Sequence, residues 1–474
     1  MTEPRSTRRA DTHASAPGRR SGGGRRIDLL VGLAVALPAV VSIALAAVGG
    51  GSSTSAGSLP PVSTGLTSAT LVCPAALHKH PAPVVVARAP EVAGGAVQVS
   101  RAGSGGSLAP GGTVTATADH NGRIAGGGAS VITASGTAAP GLVAGRREPE
   151  ASAACLTPAY DEWYVGLGAS AVNDSVLTLV NPDGGQAVVD VELIGQQGPT
   201  SATALRGMVV PGHRSVSIDL GKRAPSQLSL AAHVMVSRGR VGVSVEHRYD
   251  RLGGAAVVSD YLPALDESST DGLLLGATVE GQTLMLVNPG EEPANATIRV
   301  LNGESVFTPV GTKPVVVPPQ SLVRVPLPNV VPTSAVNGML GLVVQSDQPL
   351  LATSRGIVSS DLNVVGMSPT VTGPTAAIVP DGPSRLVIAG AQRTGVVNLT
   401  FRNAAGRVLA QKAVPVTAQA GVSVVLPSSA AVVTLDPRNT AVSASIVTTG
   451  RKGSSVVPVR DTVRTASVPA VLPN

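Results

Sequence analysis

Few residues in this chain are equipped for chemistry. It holds only seven aromatic side chains in 474 residues, and three fall within five positions: Tyr160, Trp163 and Tyr164. Such a cluster can form a platform for a glycan or peptide, or it can anchor a core built otherwise from small residues. In an alanine- and valine-rich chain the anchor is the simpler reading. It puts Trp163 in the core of a first β unit, where that unit meets an N-terminal segment. A partner surface at Tyr160, Trp163 and Tyr164 is the leading site candidate.

Carboxylates cluster at Asp161-Glu162 and at Asp266-Glu267 with Asp271. Glycoside hydrolysis needs two carboxylates facing each other across a cleft. Neighbours on a strand point to opposite faces, so Asp161 and Glu162 cannot form that pair alone. Residues 266–271, Asp-Glu-Ser-Ser-Thr-Asp, read as a linker between units. His78-Lys79-His80 is the only close histidine pair, and its i, i+2 spacing on a strand could share a metal. Prolines at 81 and 83 favour a solvated loop instead. The glycine runs 103–106 and 126–128 lack the strand-glycine-helix context of a phosphate cradle and read as turns. There is no H-E-x-x-H, no G-x-S-x-G and no phosphate-binding loop. The sequence therefore assigns no catalytic, cofactor or metal residue, and the chain reads as a non-enzyme.

The two cysteines, Cys73 and Cys155, would close a loop of about eighty residues as a disulfide, which persists in oxidising compartments. Charge points the same way. Residues 1–26 hold seven arginines against Glu3 and Asp11, a net +5, while the whole chain is +6. The rest is nearly neutral and shows no basic, aromatic-studded face, which argues against nucleic acid. The arginine tail, poor in bulky apolar residues, reads as disordered. Residues 29–48 then run uncharged, long enough for one hydrocarbon core. The flanking arginines place the N-terminus in the cytoplasm and the body outside it. Ala44-Leu45-Ala46 also fits a signal-peptidase site, so secretion after cleavage near Ala46 is the alternative to a retained anchor.

Past a Gly/Ser/Pro spacer at 49–65 the pattern is β throughout. Valine-rich runs alternate with turn residues, as in Thr113–Asp119, Ala187–Leu193 and Ser215–Leu220. The run 177–182 (LTLVNP) recurs at 284–289 (LMLVNP) and more faintly at 399–403 (LTFRN). A period near one hundred residues is the size of an immunoglobulin-like sandwich. The expected organisation is a basic tail (1–26), a transmembrane helix or signal anchor (27–48) and the spacer. An N-terminal β segment (66–155), three related β units (156–265, 271–372 and 383–465) and a short tail (466–474) follow. The fold class is all-β with tandem sandwich units; a propeller-like arrangement or fused elongated sheets would also fit the spacing.

The order of Cys155-Leu156-Thr157-Pro158, Trp163-Tyr164-Val165-Gly166-Leu167-Gly168, Leu179-Val180-Asn181-Pro182 and Ser346-Asp347-Gln348-Pro349-Leu350-Leu351-Ala352 resembles an actinobacterial family. Its members are single-pass extracytoplasmic proteins of unknown function. The resemblance implies an envelope location and carries no catalytic residues. The expected role is a non-catalytic envelope module that holds a protein or glycan. An accessory subunit of a membrane envelope-assembly complex and a wall-polymer-acting enzyme are the alternatives.

Overall fold

The computed structural model describes residues 62–77, 81–252 and 256–468. The expected anchor at 27–48 and the His78-Lys79-His80 pair lie outside them. Among the described residues, no helix is long and apolar enough to cross a membrane. Residues Ser63–Ser467 form one compact unit.

Among the described residues the fold is all-β, with several open sheets and only short helical turns. The first two sheets are four-stranded. One runs Ser68–Cys73, Ser130–Ser135, Gly94–Ala102, Leu108–Thr117 in spatial order; the other runs Gly122–Ile124, Val84–Arg88, Leu142–Arg146, Ala153–Ala154. Their inward residues share one apolar cluster, which includes Val84, Val97, Ile124, Ile132 and both cysteines. Cys73 and Cys155 are disulfide-bonded, as expected.

Three later segments repeat one pairing plan. In the first, Asn173–Asn181 lies between Arg214–Asp219 and Gly242–Tyr249. The strand Gln227–Arg238 lies between Ala187–Gly195 and Asp161–Ala169. In the second, Gln282–Asn288 lies between Ser321–Pro326 and the far half of Met339–Val358. The near half of that 20-residue strand pairs with Ala294–Asn302 and Ser269–Leu275. One long strand thus does the work of two. In the third, Ser384–Ala389 lies between Val422–Val425 and Val442–Thr449, while Ala430–Arg438 pairs with Gly395–Asn403 and Thr375–Ile378.

This plan corrects the third repeat. Asn181 and Asn288 end equivalent strands and make the same bonds. Each is buried and donates from Nδ2 to two carbonyls, Gly185 and Val210 for Asn181, Glu292 and Val317 for Asn288. Each also accepts at Oδ1 a backbone N–H two residues on. Asn403 ends the following strand, equivalent to Asn302. Like Asn302, it only caps a hairpin turn through Oδ1. The Leu-x-Phe-x-Asn likeness is one strand out of register, because alternating apolar strands that end in a turn resemble one another.

The packing between segments is cyclic. Val72, Val131 and Val180 join the N-terminal sheets to the first repeat. Val165, Leu265, Met285 and Leu351 join the first repeat to the second. Leu275, Leu301, Val387 and Val447 join the second to the third. Val85, Ala87, Ile378 and Val432 return from the third to the N-terminal sheets.

Candidate functional site

The strand Asp161–Ala169 presents chemistry on both faces. Its side chains alternate, so Asp161 and Trp163 point one way and Glu162 and Tyr164 the other. The burial pattern follows suit: Asp161 is exposed and Trp163 half-buried, whereas Glu162 and Tyr164 are buried.

On the outer face, antiparallel register sets Trp163 directly opposite His233. The two rings stack with centroids 4.0 Å apart and planes 7° from parallel. Asp161 Oδ1 lies 2.7 Å from His233 Nε2 and tethers the imidazole. The pair lines an open groove of about 640 Å³, shared with Glu192, Thr200, Thr203, Arg206 and, from the second repeat, Gln320. Trp163 also packs against the apolar seam between the first and second repeats. It therefore seals that junction, not the junction with the N-terminal segment that its sequence position favoured. The three aromatics diverge: Tyr160 is 64% exposed, Trp163 faces the groove and Tyr164 is internal.

On the inner face, Glu162 lines a cleft of about 360 Å³ where the N-terminal sheets, the first repeat and the third repeat meet. Leu265 closes backbone hydrogen bonds with Trp163 in both directions, 2.9 and 2.8 Å, and so brings the adjacent Asp266 to the same cleft. Residues read as linker thus supply a second carboxylate. Glu267 is exposed, and Asp271 lines a different groove. Arg460, from the third repeat, ion-pairs with Asp266 Oδ2 and donates to the Ala264 carbonyl.

Burial pushes the Glu162 carboxyl up to about 7; Asp266 and Asp161 add to the rise, and the Tyr164 hydrogen bond and Arg460 oppose it. The geometry accommodates both protonation states. Tyr164 Oη lies 2.9 Å from Glu162 Oε2 and 3.2 Å from the Val243 carbonyl oxygen, two acceptors for one hydroxyl hydrogen. Tyr164 donates to the Glu162 carboxylate when it is ionised, which is why this bond opposes the rise; when Glu162 is protonated the acid can donate to Tyr164 and the hydroxyl can turn to Val243. Burial, then the neighbouring Glu162, holds the Tyr164 phenol well above its ordinary range.

A buried serine-histidine contact lies within the first repeat, against Arg355 of the second. Ser175 Oγ is 2.8 Å from His247 Nδ1. Arg355, which can only donate, is 2.6 Å from His247 Nε2. Nε2 therefore accepts, Nδ1 carries the hydrogen, and Ser175 Oγ receives it along with the Gly168 N–H at 3.1 Å. This polarity is the reverse of a nucleophile and its base. Burial and the Arg355 charge hold His247 neutral, well below its usual pKa. Arg355 also reaches the carbonyl of Gly166, at an irregularity in the pairing of Asp161–Ala169. Gly166 has φ +100°, where a side chain would be strained.

The glycine runs lie in turns and bends, and the run 126–128 also serves a buried arginine. Arg146 donates to the carbonyls of Gly126 and Gly128, and to those of Pro74 and Ala82. Nothing in the sequence pattern marks Arg146, His233 or Arg460, since their partners come from distant strands.

Among the described residues, no group of three metal-ligating side chains could hold an ion. The fold and the cleft define an all-β, disulfide-bonded protein of packed repeats with a buried acid at their meeting point. The chain belongs to DUF5719, a family of unknown function, whose match spans residues 123–427. No curated protein and no solved structure matches it.

Proposed function

We propose that the chain is a non-catalytic, membrane-anchored extracytoplasmic protein of the cell envelope. Its tandem immunoglobulin-like sandwich units would hold an envelope glycan in the Trp163 groove. The observation that carries this is the Trp163–His233 stack, tethered by Asp161, at the edge of an open groove bearing hydroxyl, amide and charged groups. Sugar recognition needs that combination: a rigid apolar face with directional polar partners around it. The disulfide supports an oxidising compartment, and the uncharged segment at 29–48 supports the anchor.

Trp163 is the chain's only tryptophan, so its fluorescence reports on the groove alone. Titration with soluble envelope glycan fragments should shift its emission. Glu192→Ala with Arg206→Ala should weaken the response at least tenfold. An emission unmoved by every fragment removes the groove as a glycan site.

A wall-polymer-acting enzyme is the second reading. Glu162, raised to about 7, and Asp266, ion-paired with Arg460, bring two carboxyl groups to one cleft, as glycoside hydrolysis requires. The walls of that cleft are largely apolar, with alanine the commonest residue, and offer sugar hydroxyls few partners for their number. Release of reducing ends from wall polymer, abolished by Glu162→Gln, would establish the enzyme.

A further inference from the structure

We propose that the inner cleft binds an apolar primary amine, with its ammonium between Glu162 and Asp266 and its apolar body along the alanine and valine walls. This site lies on the opposite face of the strand from the Trp163 groove and does not depend on it.

The first argument is charge. Four of the acidic or basic groups that line the cleft are Glu162, which is buried, Asp266 and Asp461, which are exposed, and Arg460. Arg460 is already committed to Asp266 Oδ2 and the Ala264 carbonyl. Asp461 is filled by Thr372 and Gly373. Arg146 also lines the cleft, but its guanidinium is spent on four backbone carbonyls. Acids therefore exceed bases, and among the described residues Glu162 has no cationic partner in hydrogen-bond contact. It is only 5% exposed, and Tyr164 engages just one of its oxygens. A buried carboxyl lacking a cation is costly to ionise, and an incoming ammonium supplies what is missing.

The second argument is shape and polarity. A volume of about 360 Å³ is within the range of small-molecule sites, and the walls include Ala69, Leu71, Ala144, Ala154, Ala377 and Val457. Such walls select an apolar body and reject a strongly hydrated one. The amine can belong to a small molecule or to a lysine side chain of a bound protein, since the recognised chemistry is the same.

Binding is coupled to a proton. The titratable and charged groups around Glu162 are Tyr164 on its own strand, Asp266 on the adjoining segment, Arg460 and Asp461 from the third repeat and Arg146 from the N-terminal sheets, with Asp161 acting from the other face of the strand. The ammonium needs the ionised carboxylate, so only the ionised fraction of Glu162 is competent. With Glu162 near 7, that fraction rises about tenfold between pH 6 and pH 8.

Calorimetric titration of the full-length protein with benzylamine, in amine-free phosphate buffer, tests this. Affinity should rise about tenfold from pH 6 to pH 8. Benzyl alcohol, of the same shape without the charge, should bind far more weakly. Glu162→Gln should weaken binding and flatten the pH profile. Ala154→Leu, which narrows the cleft and leaves every charge in place, should also weaken it. An acetylated, amidated Ala-Lys-Ala peptide separates the two sources: binding equal to benzylamine points to a protein partner's lysine, and binding by the free amine alone points to a small molecule. Equal binding of benzyl alcohol, a pH-independent affinity, or no benzylamine binding overturns the proposal.

Discussion

Glu162 and His247 show how burial pushes two titrating groups in opposite directions, and they make opposite contributions to stability. The Glu162 carboxyl is raised from 4.5 to about 7, so the folded protein keeps a proton that the unfolded chain releases. Its contribution is full below about pH 4.5 and is lost as pH rises through 7. His247 is held neutral well below 6.5, so the unfolded chain takes up a proton that the folded one refuses. Its contribution is full above about pH 6.5 and is lost as pH falls below it. The two oppose each other between pH 4.5 and 7. In Glu162→Gln only the histidine loss remains of this pair. The variant's urea midpoint should therefore fall more steeply than wild type's between pH 7 and pH 5. Parallel pH profiles for the two proteins would show that Glu162 titrates normally.

At the level of elements, the repeated asparagines separate true equivalence from local resemblance. Asn181 and Asn288 are each buried and each bridge two carbonyls, one four residues on, across the turn, and one 29 residues on. Replacement by alanine strands buried acceptors, which costs about 1–3 kcal/mol at each site. Asn403 only caps an exposed hairpin turn, and its alanine variant should cost under about 1 kcal/mol. Equilibrium denaturation of the three variants checks the order. A cost for Asn403→Ala equal to the other two would restore the equivalence that the sequence implied. The strand Met339–Val358 illustrates the same limit. Its halves do what Gln227–Arg238 and Gly242–Tyr249 do as separate strands, and no local signal distinguishes a bend from a turn.

For the whole molecule, cyclic packing has an energetic consequence. Each repeat buries one apolar seam against the segment before it and another against the segment after it, so no repeat can unfold without exposing two seams. Cross-links add to this. Arg147 from the N-terminal sheets donates to Val379 and Ala430 and pairs with Asp381 in the third repeat. Calorimetry should show one unfolding transition for Ser63–Ser467. The disulfide spans 82 residues, and chain-entropy arithmetic assigns such a loop about 4.5 kcal/mol. Reduction should lower that single transition as a whole. Two separate transitions, with only one sensitive to reductant, would contradict cyclic coupling.

Much of the architecture was legible because it is local. Period-two alternation broken by glycine, proline and asparagine is a property of a few neighbouring residues, and it determined an all-β protein in repeated units. Two cysteines on a β-rich, charge-balanced body were enough to expect the disulfide. The same alternation rule told that Asp161 and Glu162 face apart; the proposed surface of Tyr160, Trp163 and Tyr164 overlooked it, and the structure turns Tyr164 inward. What the sequence could not decide is which distant residue meets each of them. His233 stacks on Trp163 because two strands 70 residues apart pair in one register. Asp266 leaves its apparent linker because Leu265 bridges to Trp163. Arg460 reaches Asp266 from 194 residues away. A one-residue slip in any of these pairings would turn the side chains to the other face. Strand identity is written in local periodicity. The groove and the cleft exist only once register and cyclic packing bring together residues that no local signal connects.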